Sequence, residues 1–305
     1  MNTDNLPHKI SVRRILAADL SLLLVSLIWG AGVPMSALLA RAITPLWSIA
    51  LRMVVASVCL FVIFPKRFIS ATRLEWSLSF RQAAITAAVF VFMAFGLVYS
   101  TASKQAFIGG LNVIFVPLLW WALFKTRPSH WLFAGAAVTT VGLLVMGFTP
   151  GMRFNFGDFL SLLMALAYSA QIINASHSVQ RINPFSLVVL HIVLLAAILT
   201  VLAFVFEPLP DIALFTPKVC IVLAILSLFN TIICFIIQFY AQRYTSAAHT
   251  AIVCSLEGLF GYIITVASGQ DPFNMQCAVG GLMTVIGTFI AEAEVFTASH
   301  GKKTS

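Results

Sequence analysis

Ten runs of mostly apolar residues, each about as long as a bilayer is thick, divide this chain. A helix needs roughly 20 apolar residues to cross the hydrocarbon core. Because lipid offers the backbone no hydrogen-bond partner, runs of this length must be helical. The sequence therefore predicts an all-α membrane protein with ten transmembrane helices. The runs lie at residues 16–40, 45–64, 80–101, 104–124, 130–148, 157–180, 185–206, 218–241, 246–267 and 274–295.

Composition and charge support the same class. The chain is 60% hydrophobic and 9% charged, whereas soluble domains are about 25% charged. With the N-terminus in the cytoplasm, most Lys and Arg residues fall in the inside segments, as the positive-inside rule requires. Only Arg41, Lys104, Arg153 and Lys218 fall outside, and Arg52 falls within a helix. We therefore expect a multi-pass protein of the cytoplasmic (inner) membrane, with both termini in the cytoplasm and no nucleic-acid partner.

Neither the N-terminal segment nor the cysteines change the prediction of a multi-pass membrane protein. The basic and then apolar start has no convincing cleavage site, which predicts an uncleaved first helix. The five cysteines are scattered through apolar runs without a CxxC pattern. They are therefore interpreted as small hydrophobic residues, and we expect no metal and no cofactor.

An internal repeat relates the two halves of the chain. Trp29 pairs with Tyr168, Pro45 pairs with Pro184, and "GAAVTTVG" (135–142) pairs with "GGLMTVIG" (280–287), in order and at nearly constant separation. Five helices per half is an odd number, so the second half must be inverted relative to the first. We predict one repeat over residues 1–150 and an inverted one over 151–305, joined in one bundle.

The same motifs resemble a known family. The opening "LIWGAGVPMSALL…ITPLWSIALRMVVAS" is similar to the first two helices of EamA-type proteins of the drug/metabolite transporter superfamily. "LVYSTASKQAFIGGLNVIFVPLLWWALF…GAAVTTVGLLVMG" resembles their third to fifth helices, and "FYAQRYTSAAHTAIVCSLEGLFGYIITVASG…GGLMTVIGTFI" their eighth to tenth. The resemblance implies two inverted five-helix repeats around a central cavity, and transport of small metabolites. The common Leu-Glu-Pro of the ninth helix is Leu256-Glu257-Gly258 here.

Glu257 is an acid near the middle of the ninth predicted helix. A charge at the bilayer centre costs at least about 2.5–3.5 kcal/mol, which protonation, a partner or a wet cavity can offset. The residue either binds a substrate amine or carries a coupling proton, or it forms a structural hydrogen bond between helices. His249, two turns earlier, either completes a proton relay with Glu257 or bonds a neighbouring carbonyl or hydroxyl.

Further polar residues form faces on the sixth and eighth helices. The amides of such faces would be unsatisfied in lipid, so they must point into the bundle. They either line the cavity or join helices. The predicted substrate-binding amides are Gln171 and Asn174 on the sixth helix, Asn230 and Gln238 on the eighth, and Asn112 on the fourth.

Aromatic residues complete the predicted site. Trp29 and Tyr168 lie near the middle of their helices, where they either hold a cation or an aromatic ligand or pack in the core. Tyr99 and Tyr240 lie at opposite mouths, as gates or as ordinary interfacial tyrosines. We expect Arg52 to anchor helix contacts. Trp29, Tyr168, Asn230 and Glu257 are predicted to form the floor of the cavity.

The preferred function is secondary transport of small metabolites by alternating access, with amino acids or related compounds as substrates. The chain has no GxxxxGK[ST] pattern, so ATP does not drive it directly. Coupling to protons, exchange and facilitated diffusion stay open, as does the oligomeric state. The alternatives are a non-transport membrane protein with a lipid-interacting or assembly role, and an intramembrane enzyme, for which HExxH, GxSxG and paired aspartates are missing.

Overall fold

The computed structural model describes residues 12–100, 102–147, 154–269 and 272–300, and every regular element in these ranges is helical. Ten helical segments follow the ten predicted runs, so the all-α prediction is confirmed. Residues 101 and 148, two predicted helix ends, and the predicted boundary at 150/151 lie outside the described residues. The segments are α1 (Val12–Ala42), α2 (Pro45–Ile63), α3 (Arg73–Tyr99), α4 (Ala102–Gly110 and Asn112–Phe124), α5 (His130–Gly147), α6 (Phe156–Ser178), α7 (Pro184–Phe206), α8 (Pro217–Ala241), α9 (Ala247–Cys254 and Leu256–Ala267) and α10 (Met275–His300).

Length and apolarity make these segments membrane helices. Eight of them are long and apolar enough to cross a bilayer, and two shorter apolar helices are found at Ile108–Phe124 and Met275–Ala291. The structure is therefore that of a multi-pass α-helical membrane protein with about ten helices.

Capping residues set several helix starts. Helix α3 begins at Arg73 rather than at residue 80, because Thr72 and Glu75 form a reciprocal capping box before the apolar run starts. Asn155 and Asp158 form the same arrangement at the start of α6. Apolar periodicity alone places such starts too late, since the first turn of each helix is polar.

Three helices are interrupted near their middles. Helix α4 breaks at Leu111 and α9 breaks at Ser255, and these two helices are partners in the predicted repeat. Helix α8 changes from α to π geometry over Leu226–Ile233. Interrupted and π-helical segments expose backbone groups inside a membrane protein, and they are frequent at functional sites.

Glycines bring α5 and α10 into close contact. A Cβ atom on Gly135 would lie 2.6 Å from the carbonyl oxygen of Gly287, and one on Gly142 would lie 2.6 Å from that of Gly280. Small residues allow such backbone approach in membranes, where packing replaces the hydrophobic effect as the driving force. The two motifs that pair in the sequence therefore also pack against each other.

The remaining contacts follow a two-fold pattern. Helix α2 packs on its repeat partner α7. The contact between α3 and α6 corresponds to the contact between α8 and α1. The contact between α4 and α6 likewise corresponds to the contact between α9 and α1. When both helices of a contact are replaced by their partners in the other half, the result is therefore another observed contact. The core lies along these pairs, with large buried clusters between α2, α3, α7 and α8 and between α4, α5, α6 and α9.

Candidate functional site

Glu257 lies in the first turn of the second segment of α9, directly after the break at Ser255. The backbone at Ser255 keeps right-handed helical angles (φ −63°, ψ −18°), so the interruption is a local change in the helix and not a helix end. Glu257 is partly exposed, and its side chain makes no hydrogen bond or ion pair with any other described residue. A Cβ atom added at the neighbouring Gly258 would meet nothing within 4 Å. The part of α9 that carries Glu257 is therefore not closely packed on every side.

Four helices contribute groups near Glu257. Its electrostatic neighbours are the Tyr168 hydroxyl of α6 and the thiols of Cys234 in α8 and Cys254 in α9. Helix α1 approaches from another side, because a Cβ on Gly30 would lie 2.8 Å from the Glu257 carbonyl oxygen. The site thus lies where α1, α6, α8 and α9 meet.

Trp29 and Asn230 join α1 to the π-helical part of α8. The Trp29 indole N–H donates to the Asn230 carbonyl at 2.9 Å, and the Asn230 side-chain amide donates to the Ile28 carbonyl at 3.2 Å. Phe235 packs edge-on against Trp29 with ring centroids 6.3 Å apart. Asn230 therefore joins helices, the second of the two roles open to it. The Trp29 ring remains partly exposed.

Asn174 and Gln171 connect α6 to α3 through Gln82. The Asn174 amide donates to the Gln82 side-chain oxygen, and the Gln82 amide donates to the Gln171 carbonyl at 3.3 Å. All three side chains are buried. Sequence reasoning did not single out Gln82, although a lone glutamine in the apolar run of α3 is a detectable signal.

Gln238 lies in the tightly packed part of α8. Its side chain is fully buried, and neither its amide oxygen nor its amide nitrogen has a hydrogen-bond partner among the described residues. One turn further on, Gln242 donates to the Ile172 carbonyl at 3.4 Å while its own side-chain oxygen has no such partner. The predicted polar face of α8 thus points into the bundle, but it meets packed helices there.

Asn112 and His249 also lie in packed surroundings. Asn112 is buried directly after the break in α4. The His249 ring nitrogens lie 2.9 Å from the Ser246 hydroxyl oxygen and 3.3 Å from the Ala291 carbonyl oxygen. With both nitrogens engaged, this histidine fixes the start of α9, and a relay to Glu257 would have to break one of these contacts.

The two predicted gate tyrosines lie at helix ends. Tyr99 is the last residue of α3, is more than half exposed and packs edge-on against Phe156 at 5.5 Å. Tyr240 is exposed near the end of α8. Neither contacts the residues around Glu257.

Two surface grooves lie away from this site. One of about 400 Å³ lies beside Trp121 and Arg127, and one of about 560 Å³ lies beside Phe64 and Arg67. Both follow the ends of membrane helices, where basic and aromatic residues normally meet headgroups. Their lining includes none of the residues around Glu257.

Fold and site together define a class: a multi-pass helical membrane protein with interrupted helices and a carboxylate without an ion-pair partner among the described residues of those helices. Comparison with known proteins gives the family. The EamA-like transporter family matches residues 16–148 and again residues 155–292. The chain therefore belongs to the EamA-like transporter family, within the drug/metabolite transporter superfamily.

Individual relatives agree with this membership. An uncharacterized transporter of Archaeoglobus fulgidus is 29% identical over 293 residues, covering 92% of this chain and 87% of the relative. A second uncharacterized transporter of that organism is 21% identical over 211 residues, covering 68% and 72%. A solved crystal structure superposes with a TM-score of 0.78 at 14% identity, over 92% of this chain and 98% of the other. That likeness concerns the fold alone.

Proposed function

We propose that this chain is a secondary transporter that moves small metabolites, amino acids or related compounds, across the cytoplasmic membrane by alternating access. It acts without cofactor or chemical conversion of the substrate. The observation that carries the proposal is Glu257, a partly exposed carboxylate in an apolar helix that has no hydrogen-bond or ion-pair partner among the described residues. An acid kept in the membrane at a cost of several kcal/mol normally serves a ligand or an ion.

Substrate recognition is proposed to centre on this carboxylate. An ammonium group of the substrate would pair with Glu257, and the partly exposed rings of Trp29 and Tyr168 would cover its apolar part. Gln171, Asn174, Asn230 and Gln238 are held between helices in the described conformation. In this conformation they therefore hold the helices around the site in place and do not contact the substrate. The same holds for Asn112 after the break in α4, and a change of conformation would expose these side chains.

Alternating access follows from the repeat. We propose inverted repeats over residues 1–150 and 151–305, supported by the two-fold pattern of helix contacts and by the matched breaks in α4 and α9. In such folds, the halves exchange conformations around a fixed midplane site. Tyr99 and Tyr240, at opposite mouths in this arrangement, would then alternate as gates. The positive-inside pattern supports cytoplasmic termini and location in the inner membrane.

Glu257 also offers a means of coupling. A carboxylate that binds an ammonium group in one step and a proton in the next would exchange the two across the membrane. Counter-exchange of two solutes would use the same site without a net proton. A pH gradient distinguishes the two schemes, because only the first accumulates substrate in response to it.

Counterflow in proteoliposomes tests the function. Purified protein is reconstituted with a panel of unlabelled amino acids inside, and uptake of the labelled compounds is followed with and without a pH gradient. We expect counterflow for at least one amino acid, with empty liposomes as the control. If wild-type protein moves no member of the panel, although it is folded by thermal unfolding, the proposed substrate class is wrong. A protein that also moves no other small metabolite would favour a lipid-interacting or assembly role.

A further inference from the structure

The connection between α2 and α3 is an ordered corner. One residue, Phe64, separates the end of α2 from a short helix at Pro65–Ile69, the corner helix. The backbone N–H of Arg67 donates to the Phe64 carbonyl at 3.0 Å. The backbone N–H and the hydroxyl of Ser70 both donate to the Lys66 carbonyl, at 3.0 and 2.8 Å. Hydrogen bonds thus fix the backbone of the corner helix at both ends.

Aromatic contacts hold the corner helix against its neighbours. Phe68 packs on Phe61 of α2 with ring centroids 5.2 Å apart, and Phe64 packs edge-on against Phe185 of α7 at 4.8 Å. The guanidinium carbon of Arg67 lies 5.9 Å from the centroid of the Phe185 ring. Stacking on an aromatic face limits the orientations of a guanidinium but leaves its N–H donors available.

The larger of the two surface grooves, of about 560 Å³, lies along this corner. Its wall is apolar at the last turn of α2, where Val62 and Ile63 contribute, and basic at the corner helix, where Lys66 and Arg67 contribute. Val62 and Ile63 are 71% and 63% exposed, so no part of the described chain covers the apolar wall. Both cations are exposed, and neither forms an ion pair with a described acid.

The nearest acid along the chain, Glu75, has another role. Its carboxylate accepts hydrogen bonds from the backbone N–H and the hydroxyl of Thr72, at 2.8 and 3.0 Å, in the cap of α3. The charge of Arg67 acts on this carboxylate only from beyond ion-pair distance. The groove therefore keeps a positive charge that the surrounding protein does not pair.

The matching corner in the second half has no such cations. The connection between α7 and α8 also contains a short helix, at Ile212–Leu214. Its charged residues are the acids Glu207 and Asp211, and residues 207–217 include no Lys or Arg. A corner of this kind can thus be built without cations, so Lys66 and Arg67 are available for a ligand.

We propose that this groove binds one anionic phospholipid, with its phosphate between Lys66 and Arg67 and its acyl chains along Val62 and Ile63. A guanidinium binds phosphate oxygens through paired N–H donors, and an ammonium group adds a point charge. In the proposed orientation the corner faces the cytoplasmic leaflet, whose anionic lipids attract basic segments. A zwitterionic lipid would bring its own cation towards these two. The inference goes beyond the proposed transport and does not depend on the solute that is moved.

Native mass spectrometry of the full-length protein in a neutral detergent tests the lipid class. The probes are phosphatidylglycerol, phosphatidylcholine with the same acyl chains, and glycerophosphoglycerol, which is the phosphatidylglycerol headgroup without its chains. We expect wild-type protein to bind one phosphatidylglycerol at least tenfold more tightly than phosphatidylcholine. Because the apolar wall contributes to binding, glycerophosphoglycerol at the same concentration should not displace the lipid.

Substitutions assign the lipid to this groove. Each cation near an anionic lipid is worth about fivefold in affinity, so Lys66→Gln with Arg67→Gln should weaken phosphatidylglycerol binding about 30-fold. The unfolding temperature without lipid should stay unchanged. Arg127→Gln removes the exposed arginine of the other groove and is the matched control, with wild-type affinity expected. If the double variant does not fold, Lys66→Gln alone should weaken binding about fivefold and serves in its place.

Four outcomes would overturn the assignment. Equal phosphatidylglycerol affinity in wild type and the folded variant would remove the lipid from this groove. An equal loss in Arg127→Gln would show an unspecific effect of surface charge. Binding of phosphatidylcholine as tight as that of phosphatidylglycerol would show that the cations do not select the lipid, and displacement by glycerophosphoglycerol would show a site for free anions. Since none of these measurements uses transport, a failed counterflow assay leaves their result intact.

Discussion

The two segments of α9, on either side of Ser255, differ sharply in their surroundings. From Ala247 to Leu256 every residue is buried, whereas from Glu257 to Ala267 only Gly261 is. Ala247 shares its end of the bundle with residues 171–176 of α6 and 186–192 of α7. All of these residues are buried. One end of the second half is therefore tightly packed, and the packing stops at the carboxylate.

Polar residues have different roles in these two regions. At the packed end, Gln238 and Gln242 have buried amide atoms without partners among the described residues, and Asn174 is paired across helices. At the other end, the Glu257 side chain is partly exposed and has no hydrogen-bond partner among the described residues. Similar polar positions in the sequence thus meet packed helices in one case and a less tightly packed region in the other. The proposed alternating-access cycle requires such an asymmetry in each of its end states.

The largest expected effect is on transport, at the boundary between the regions. Glu257→Gln should lower the rate of amino-acid counterflow about 10- to 100-fold, the equivalent of one charge-assisted hydrogen bond of about 1.5–3 kcal/mol. Only the ionised carboxylate pairs with an ammonium group, so wild-type affinity should rise with pH and the dependence should disappear in the variant. Glu257→Asp keeps the charge and serves as the control. Equal rates and pH profiles for Glu257→Gln and wild type would remove the carboxylate from the site.

The second prediction contrasts two glycines. A Cβ on Gly32 would lie 1.8 Å from the Asn230 amide nitrogen, whereas one on Gly258 would meet nothing within 4 Å. Gly32→Ala should lower the free energy of unfolding by about 1–3 kcal/mol, and Gly258→Ala should leave it unchanged or raise it by up to about 1 kcal/mol. Thermal unfolding in detergent measures both. A destabilised Gly258→Ala protein would mean that the space beside Glu257 is filled.

The third prediction concerns the packed end. Gln238→Met removes an amide whose two polar atoms are buried without partners, so it should stabilise the closed packing by about 1 kcal/mol or more. A state that is more stable opens less often, and counterflow should therefore slow. Unfolding temperature and counterflow rate are measured on one preparation. A lower unfolding temperature would show that Gln238 has a partner and is not part of a closed pathway.

The smallest effect on transport is expected where the end of α7 meets the start of α2. The Glu207 carboxylate at the end of α7 accepts hydrogen bonds from the backbone N–H groups of Leu46 and Trp47, both at 3.0 Å, at the start of α2. Glu207→Gln keeps one acceptor oxygen, so one of the two N–H groups loses its acceptor, and it also removes the charge at a helix N-terminus; together these cost about 1–3 kcal/mol. We expect a fall in unfolding temperature of that size and normal counterflow. A large loss of transport would give this end a role in gating.

The sequence predicted the ten helices well, because length and apolarity alone determine which segments a bilayer accepts. It also identified Glu257, since a single acid in an apolar run is visible without any structure. Family membership was predicted from the order of loose motifs in both halves and is confirmed by the matches over residues 16–148 and 155–292.

Features that depend on distant partners were not predictable. The breaks at Leu111 and Ser255 occur at residues that are common inside helices, and the π-helical segment of α8 has no local signal. The role of Gln82 becomes visible only through its contacts with α6, which is far away in the chain. Periodicity shows which face of a helix is polar, but it does not show whether that face meets space or another helix.

Water accessibility at positions 257 and 238 tests most directly whether Glu257 is accessible while the packed end of the bundle is closed. In a background without the five native cysteines, Glu257→Cys and Gln238→Cys are labelled in oriented membrane vesicles with a membrane-impermeant thiol reagent. We expect position 257 to react from the outer face and position 238 to react slowly from either face. Position 257 unreactive from both faces, or position 238 reacting as fast as 257, would contradict an open carboxylate beside a closed pathway.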